Sequence, residues 1–186
     1  NATVAEAGFN AAYVYADKTG RWLLSASYSE GVVGVSAIKD GRVTGTPVCT
    51  LTTGLKAHSI QTDAANKFAF VPHVGELNKV DQLRFDVTTG QLTLNSPPHL
   101  PGGAGEGPRH FAFHPNGKWA YFVNEQGKSV TLCDYHADSG TLKSRQSVPT
   151  VPDDWRTKGS CADLHITADG RFVYASNRGH DSLAIF

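Results

Sequence analysis

The chain has 186 residues, 17 of them basic and 17 acidic, for a formal net charge of zero, and 40% are hydrophobic. This length and apolar content are enough for one domain with a sound core, while the neutral balance and the lack of a basic patch or long apolar run argue against nucleic-acid and membrane partners. Cys49, Cys133 and Cys161 form an odd, widely spaced set in apolar stretches, which reads as reduced, buried thiols of a cytoplasmic protein and not as a disulfide frame or a zinc site.

Four turn signals, each followed by a hydrophobic strand, recur along the chain: Thr19-Gly20-Arg21-Trp22, Ala65-Asn66-Lys67-Phe68, Asn116-Gly117-Lys118-Trp119 and Asp169-Gly170-Arg171-Phe172. With Gly20, Asn66, Gly117 and Gly170 taken as equivalent, the spacings are 46, 51 and 53 residues. A period near fifty made of short strands is the signature of an all-β propeller with one four-stranded antiparallel blade per repeat. The expected organisation is a single partial propeller over 1–186, with blades near 9–55, 56–105 and 106–157 and an incomplete fourth at 158–186.

Each turn reads as a tight hairpin, because Gly, Asn and Asp take the positive φ such a turn needs at little cost. Residues equally far from the turn then lie opposite each other. Counting eight places either side of the turn residue pairs Ala12 with Tyr28, His58 with Val74, Arg109 with Glu125 and Ala162 with Arg178. His58, Arg109, Glu125 and Arg178 are thus expected at the blade ends far from the turns, facing one mouth of the central channel. His110, Asp163, His165 and Asn177 lie near them in sequence. A lone charged residue at a strand end is ordinarily a solvated loop residue; shared repeat positions make function the favoured reading for the set.

Two Pro- and Gly-rich stretches, 94–108 and 149–160, read as loops between blades, each long enough to cover the channel mouth. The run Gly102-Gly103-Ala104-Gly105-Glu106-Gly107 has the look of a phosphate cradle, but it opens no helix and lacks the Lys-Ser/Thr of a nucleotide-binding loop. The chain stops at Phe186 inside an apolar strand, so it is expected to be a piece of a longer protein, with open blade faces prone to self-association.

The segments Gly107-Pro108-Arg109-His110-Phe111-Ala112-Phe113-His114-Pro115-Asn116-Gly117, Ala120-Tyr121-Phe122-Val123-Asn124-Glu125 and Ala162-Asp163-Leu164-His165-Ile166-Thr167-Ala168-Asp169-Gly170-Arg171 resemble the propeller-type 6-phosphogluconolactonases. That family includes the fungal 3-carboxy-cis,cis-muconate lactonizing enzyme, and the resemblance runs from about Phe9 to Phe186. It implies a seven-bladed propeller with no cofactor and no metal, a phosphorylated sugar lactone as the small-molecule partner, and His58, Arg109, Glu125 and Arg178 as site residues.

Opening a lactone with water requires a base and a positive charge where the carbonyl oxygen becomes an oxyanion. His58 or Glu125 would be the base; Arg109 and Arg178 would hold an anion, or one of them the oxyanion; His110, Asp163 and His165 would bind substrate hydroxyls. A muconate-type cycloisomerase and a non-catalytic binding platform are the alternatives.

Overall fold

The structure, a computed structural model, describes residue 4 and residues 8–186. These form sixteen strands and no helix. The first sheet contains β1 (Tyr13–Ala16), β2 (Trp22–Ala26), β3 (Val32–Lys39), β4 (Arg42–Val43) and β5 (Cys49–Thr52), with β4 and β5 both pairing with β3. The second runs β6 (Gln61–Thr62), β7 (Phe68–His73), β8 (Lys79–Asp86), β9 (Gln91–Pro101) in spatial as in chain order. The third does the same with β10 (Pro108–Phe113), β11 (Trp119–Asn124), β12 (Ser129–His136) and β13 (Thr141–Pro149). The fourth has β14 (Ser160–Ile166), β15 (Val173–Arg178) and β16 (Ser182–Ile185).

The turns differ from the expected tight hairpins. In each sheet the first two strands are closed by a four-residue loop, through Asp17 N–H to Trp22 O (2.8 Å), Asp63 to Phe68 (2.9 Å), His114 to Trp119 (2.9 Å) and Thr167 to Phe172 (2.9 Å). A second bond inside each loop returns from Gly20, Asn66, Gly117 or Gly170 to the first residue of the closing pair. Only that third loop position is left-handed, with φ of 68°, 59°, 70° and 73°, which is why Gly or Asn stands there. Polar side chains satisfy the remaining loop amides: Asp17 accepts from Arg21 and Trp22 N–H, Asp63 from Lys67 and Phe68 N–H, and Thr167 Oγ1 from Phe172 N–H.

This loop sets the hairpin axis between the left-handed residue and the one before it, so the pairs centred on the glycine need correction. Asn124 faces Pro108, Arg109 is an extra residue in a β-bulge of β10, and Arg178 faces Ser160, not Ala162. A second bulge, in β14, holds Ala162 and Asp163. In the first sheet Tyr13 faces Ala26, and β6 is so short that His58 precedes it. The stretch 94–108 is also not a simple loop, since β9 continues through Pro101. It is a mostly exposed outer strand, where proline is tolerated because one edge needs no ladder donor.

Two compact units result, Asn1–Val71 with Asp81–His99 and Pro72–Val80 with Leu100–Phe186. The core of the first is built by Leu24, Val33, Val35, Ile60, Val71, Leu83 and Phe85, all buried. Val123, Val130, Cys161, Leu164, Val173 and Ala175 form a core of the second, between the third and fourth sheets. Phe122, on the other face of β11 from Val123, is buried as well and stacks on Phe111 with ring centroids 4.9 Å apart; burying one such side chain contributes about 1.5–3 kcal/mol. The three cysteines are free and buried. On β16, Leu183 and Ile185 are 66% and 60% exposed.

Candidate active site

In the second unit the strand ends far from the four-residue loops gather Arg109, His110, Glu125, Asp163 and Arg178, while His165, two residues before the loop-closing Thr167, reaches back to Asp163. The backbone of Glu125 is held on both sides: its N–H donates to Gly107 O at 2.7 Å and its carbonyl accepts from Cys161 N–H at 3.1 Å. The bulges lie at this end of β10 and β14, where an unpaired residue re-aims side chains that a regular pleat would send to alternate faces.

Glu125 Oε2 accepts from Arg109 Nε at 2.8 Å and from Arg178 Nη2 at 3.3 Å. Its other oxygen accepts from Gln126 Nε2 at 3.1 Å, and Gln126 Oε1 in turn accepts from Gly75 N–H at 3.1 Å. The two guanidiniums are also tied to backbone, Arg109 Nη1 to the Ala162 carbonyl and Arg178 Nη2 to the Cys161 carbonyl at 2.9 Å. The Arg109 and Glu125 side chains are only 14% and 18% exposed, against 50% for Arg178. The Arg109 pair is therefore the stronger of the two, because solvent screens a half-exposed ion pair to a small net worth. Burial lowers the proton affinity of Arg109 and the Glu125 charge opposes that, so the guanidinium stays charged beside its partner.

Asp163 bridges two imidazoles. Its Oδ1 lies 2.8 Å from His110 Nδ1 and its Oδ2 3.1 Å from His165 Nε2. The bulge leaves its backbone N–H free of the ladder, and Ser176 Oγ accepts that proton at 3.0 Å. Burial alone would raise the Asp163 carboxyl, but the hydrogen bonds from His110 and from Leu164 N–H outweigh it and hold the group below its ordinary value. Burial pushes His110 below the ordinary imidazole value; the bond to Asp163 partly restores it and the Arg109 charge again opposes protonation. His110 Nδ1 thus faces the Asp163 carboxylate at 2.8 Å and its Nε2 faces Arg109 Nη1 at 3.4 Å, and burial and the Arg109 charge both favour the neutral ring. His165, 80% exposed, is the outermost of the group.

Behind the charged residues sit two buried asparagines at the same distance from the loop glycine. Asn124 Nδ2 donates to Ser129 Oγ (2.9 Å) and Thr131 Oγ1 (2.7 Å). Asn177 donates from Nδ2 to Thr150 O (2.8 Å), while its Oδ1 accepts from Thr150 Oγ1 (2.7 Å) and Cys161 Sγ (3.3 Å). Each asparagine fixes the last turn of backbone before Glu125 or Arg178. Burial raises the Cys161 thiol above its usual value despite the Thr150 bond and the Arg178 and Lys128 charges, so it remains a protonated structural group. Cys133 is pushed up to about 12 by burial and by Glu106 and Asp134.

His58 belongs to the first unit. It is half-buried there, with its ring edge-on to Tyr28 at 5.5 Å between centroids. Reading from sequence alone overlooks Gln126, Ser176, Thr150 and the carbonyls of Cys161 and Ala162. Only Asn124 announces itself, by sharing its repeat position with Asn177. Among the described residues, no group of three or more His, Cys, Asp or Glu side chains is arranged to hold a metal ion.

The chain is 38% identical over 172 residues to the 6-phosphogluconolactonase of Pectobacterium carotovorum, covering 91% of this chain and 51% of that protein. It is 37% identical over 176 residues to that of Yersinia pestis, covering 94% and 52%. The periplasmic gluconolactonase of Pseudomonas aeruginosa superposes with a TM-score of 0.83 at 28% identity, over 95% of this chain and 52% of that one. The chain thus spans about half the length of the curated relatives it matches. The profile of the seven-bladed β-propeller lactonases matches residues 1–186, and with four successive antiparallel sheets on that repeat the chain belongs to the lactonase family of seven-bladed β-propellers.

Proposed function

We propose that this protein hydrolyses 6-phosphoglucono-1,5-lactone to 6-phosphogluconate, the lactone-opening step of the pentose phosphate pathway, in a reducing cytoplasmic setting suited to its three free thiols. The observation that carries this reading is the pairing of two guanidiniums braced on Glu125 with an imidazole oriented by Asp163. A neutral half-buried imidazole beside a fixed cation is what water-driven ester opening needs: a base for the water proton and a positive charge for the developing oxyanion.

In this reading His110 takes the proton. Its Nδ1–H bond to Asp163 leaves Nε2 as the accepting nitrogen, and the lowered proton affinity keeps it in the base form at neutral pH. Arg109, less than 4 Å from that nitrogen, polarises the lactone carbonyl, and Arg178, more exposed, receives an anionic part of the substrate. Glu125, which sequence reasoning offers as a base together with His58, accepts from Arg109, Arg178 and Gln126. Its role here is to hold both guanidiniums in place. His165 completes the Asp163 bridge and lies where a sugar hydroxyl can reach it.

The test is the rate of 6-phosphoglucono-1,5-lactone opening above the spontaneous rate, measured for the wild type and for Arg109→Ala and Glu125→Gln. Each variant is expected to lose about 10²-fold or more, the scale of a removed oxyanion donor or its support. Wild-type rates no faster than spontaneous hydrolysis, or turnover of a carboxymuconate instead, would remove the proposal.

A further inference from the structure

The turn joining the second and third strands of each sheet also contains a left-handed residue. In the four sheets it is Gly31 (φ 66°), Asn78 (41°), Lys128 (49°) and Asp181 (51°). Glycine, asparagine and aspartate enter this region cheaply, whereas a lysine costs on the order of 1 kcal/mol. A long cationic side chain at a position where its counterparts are cheap to place points to a use for the charge, since local strain of this kind gathers at functional sites. One other lysine, Lys56 (φ 62°), adopts the conformation, two residues before His58.

The surroundings of Lys128 hold it in place. Its N–H donates to Asn124 O at 3.1 Å, and its carbonyl accepts from Thr150 N–H at 2.9 Å. It stands three residues after Glu125, and its ammonium lies 5.7 Å from the centroid of the Trp155 ring. Trp155 is itself fixed, edge-on to His180 at 5.3 Å and against Gly159. A Cβ on Gly159 would come within 2.4 Å of the indole and 2.5 Å of the Arg178 carbonyl, so the chain threads closely between these two residues. Lys128, Trp155 and Arg178 are therefore parts of one surface. Lys128 has no carboxylate partner among the described residues, and the neighbouring cations Arg109 and Arg178 already share Glu125. Lys128 thus presents an ammonium with no ion-pair partner among the described residues beside an aromatic face.

We infer that Lys128 is a specificity residue that binds the phosphate end of the substrate, positioned over Trp155 and next to Arg178. The inference rests on the lactonase reading above for the identity of the substrate, but not for its test. Lys128→Asn removes the charge and installs a residue suited to the left-handed position, so it is expected to fold at least as well as the wild type. It should weaken binding of 6-phosphogluconate, measured by calorimetry, by about tenfold or more, the scale of a charge-assisted hydrogen bond. Gluconate binding should change far less, and Lys128→Arg should keep the preference.

In the lactonase assay the same loss is expected in KM for the phosphorylated lactone, with kcat held. If the protein opens neither lactone but its preference for 6-phosphogluconate over gluconate depends on Lys128, the inference stands and the proposed reaction falls. Equal binding of the two acids, equal weakening of both by Lys128→Asn, or binding of neither would overturn it.

Discussion

The first and third sheets share one plan and put it to different uses. Both open with the same four-residue loop, closed at Asp17 and Trp22 in one and at His114 and Trp119 in the other. Both bury a polar residue at the end of the second strand, Ser27 or Asn124. Beyond that point they diverge. The pairing of β1 with β2 is regular, Ser27 is followed by Tyr28, and Gly31 holds the left-handed position. The pairing of β10 with β11 is broken by a bulge at Arg109, Asn124 is followed by Glu125, and Lys128 holds that position. The shared features are those that stabilise a blade. The divergent ones carry charge and depart from the cheapest local geometry, and these departures coincide with the candidate site.

The comparison is broken most directly by removing the proposed base, His110, from the third sheet. His110→Gln is expected to lower kcat by about 10² to 10⁴-fold, the range for a positioned base. The pH profile sharpens the assignment. Burial depresses His110 below its ordinary value of 6.5 while Asp163, Arg109 and Glu125 act on it in opposing directions. The wild-type rate should therefore persist as pH falls past 6.5 and drop only through the lower, folded-state value. Stability follows the same sign: the unfolded imidazole takes up its proton first, so the contribution of His110 is complete above about 6.5 and is lost as pH falls through the folded-state value. A profile that fails at or above 6.5 would speak against His110 as the base.

A smaller effect is expected from the buried asparagine behind Arg178. Asn177→Leu leaves the Thr150 carbonyl and hydroxyl without the partners they have at 2.8 and 2.7 Å, a cost of about 1–3 kcal/mol in denaturant unfolding. It should also weaken the hold on Arg178, seen as a rise in KM.

The least costly changes contrast two glycines. Gly117 is left-handed with open space around it, so Gly117→Ala should cost about 1 kcal/mol and leave the rate unchanged. Gly107 is left-handed too, but a Cβ there would lie 1.7 Å from Gln126 Oε1. Gly107→Ala should therefore displace Gln126 from Glu125 and slow turnover several-fold, beyond any difference in stability between the two variants. Equal rates for both would mean that Gln126 does not position Glu125.

The repeat was readable because the left-handed loop position tolerates few residues, so Gly20, Asn66, Gly117 and Gly170 mark the same place in each hairpin. The strand order and the placing of charged residues at the far ends follow from counting outward. The count was off by half a residue in every hairpin, because nothing in a Gly or Asn says whether it is the centre of a two-residue loop or the third position of a four-residue one. The Pro-rich stretch after Leu94 reads as loop because proline disfavours ladders; only its place at an outer edge lets β9 run on to Pro101.

What the sequence determined alone is therefore the strand-turn period and the all-β class that local stereochemistry enforces, the zero net charge, and the polar residues at one end of the second, third and fourth repeats. The tertiary structure decided how those residues combine. Bulges at Arg109 and Ala162–Asp163 arise from the pairing of whole strands, and they bring Arg109 onto Glu125 and Asp163 between His110 and His165 across a gap of more than fifty residues in the chain. Proton affinity likewise follows from surroundings: histidine has one ordinary value in water, and burial together with the Arg109 charge holds His110 below it, against the pull of Asp163.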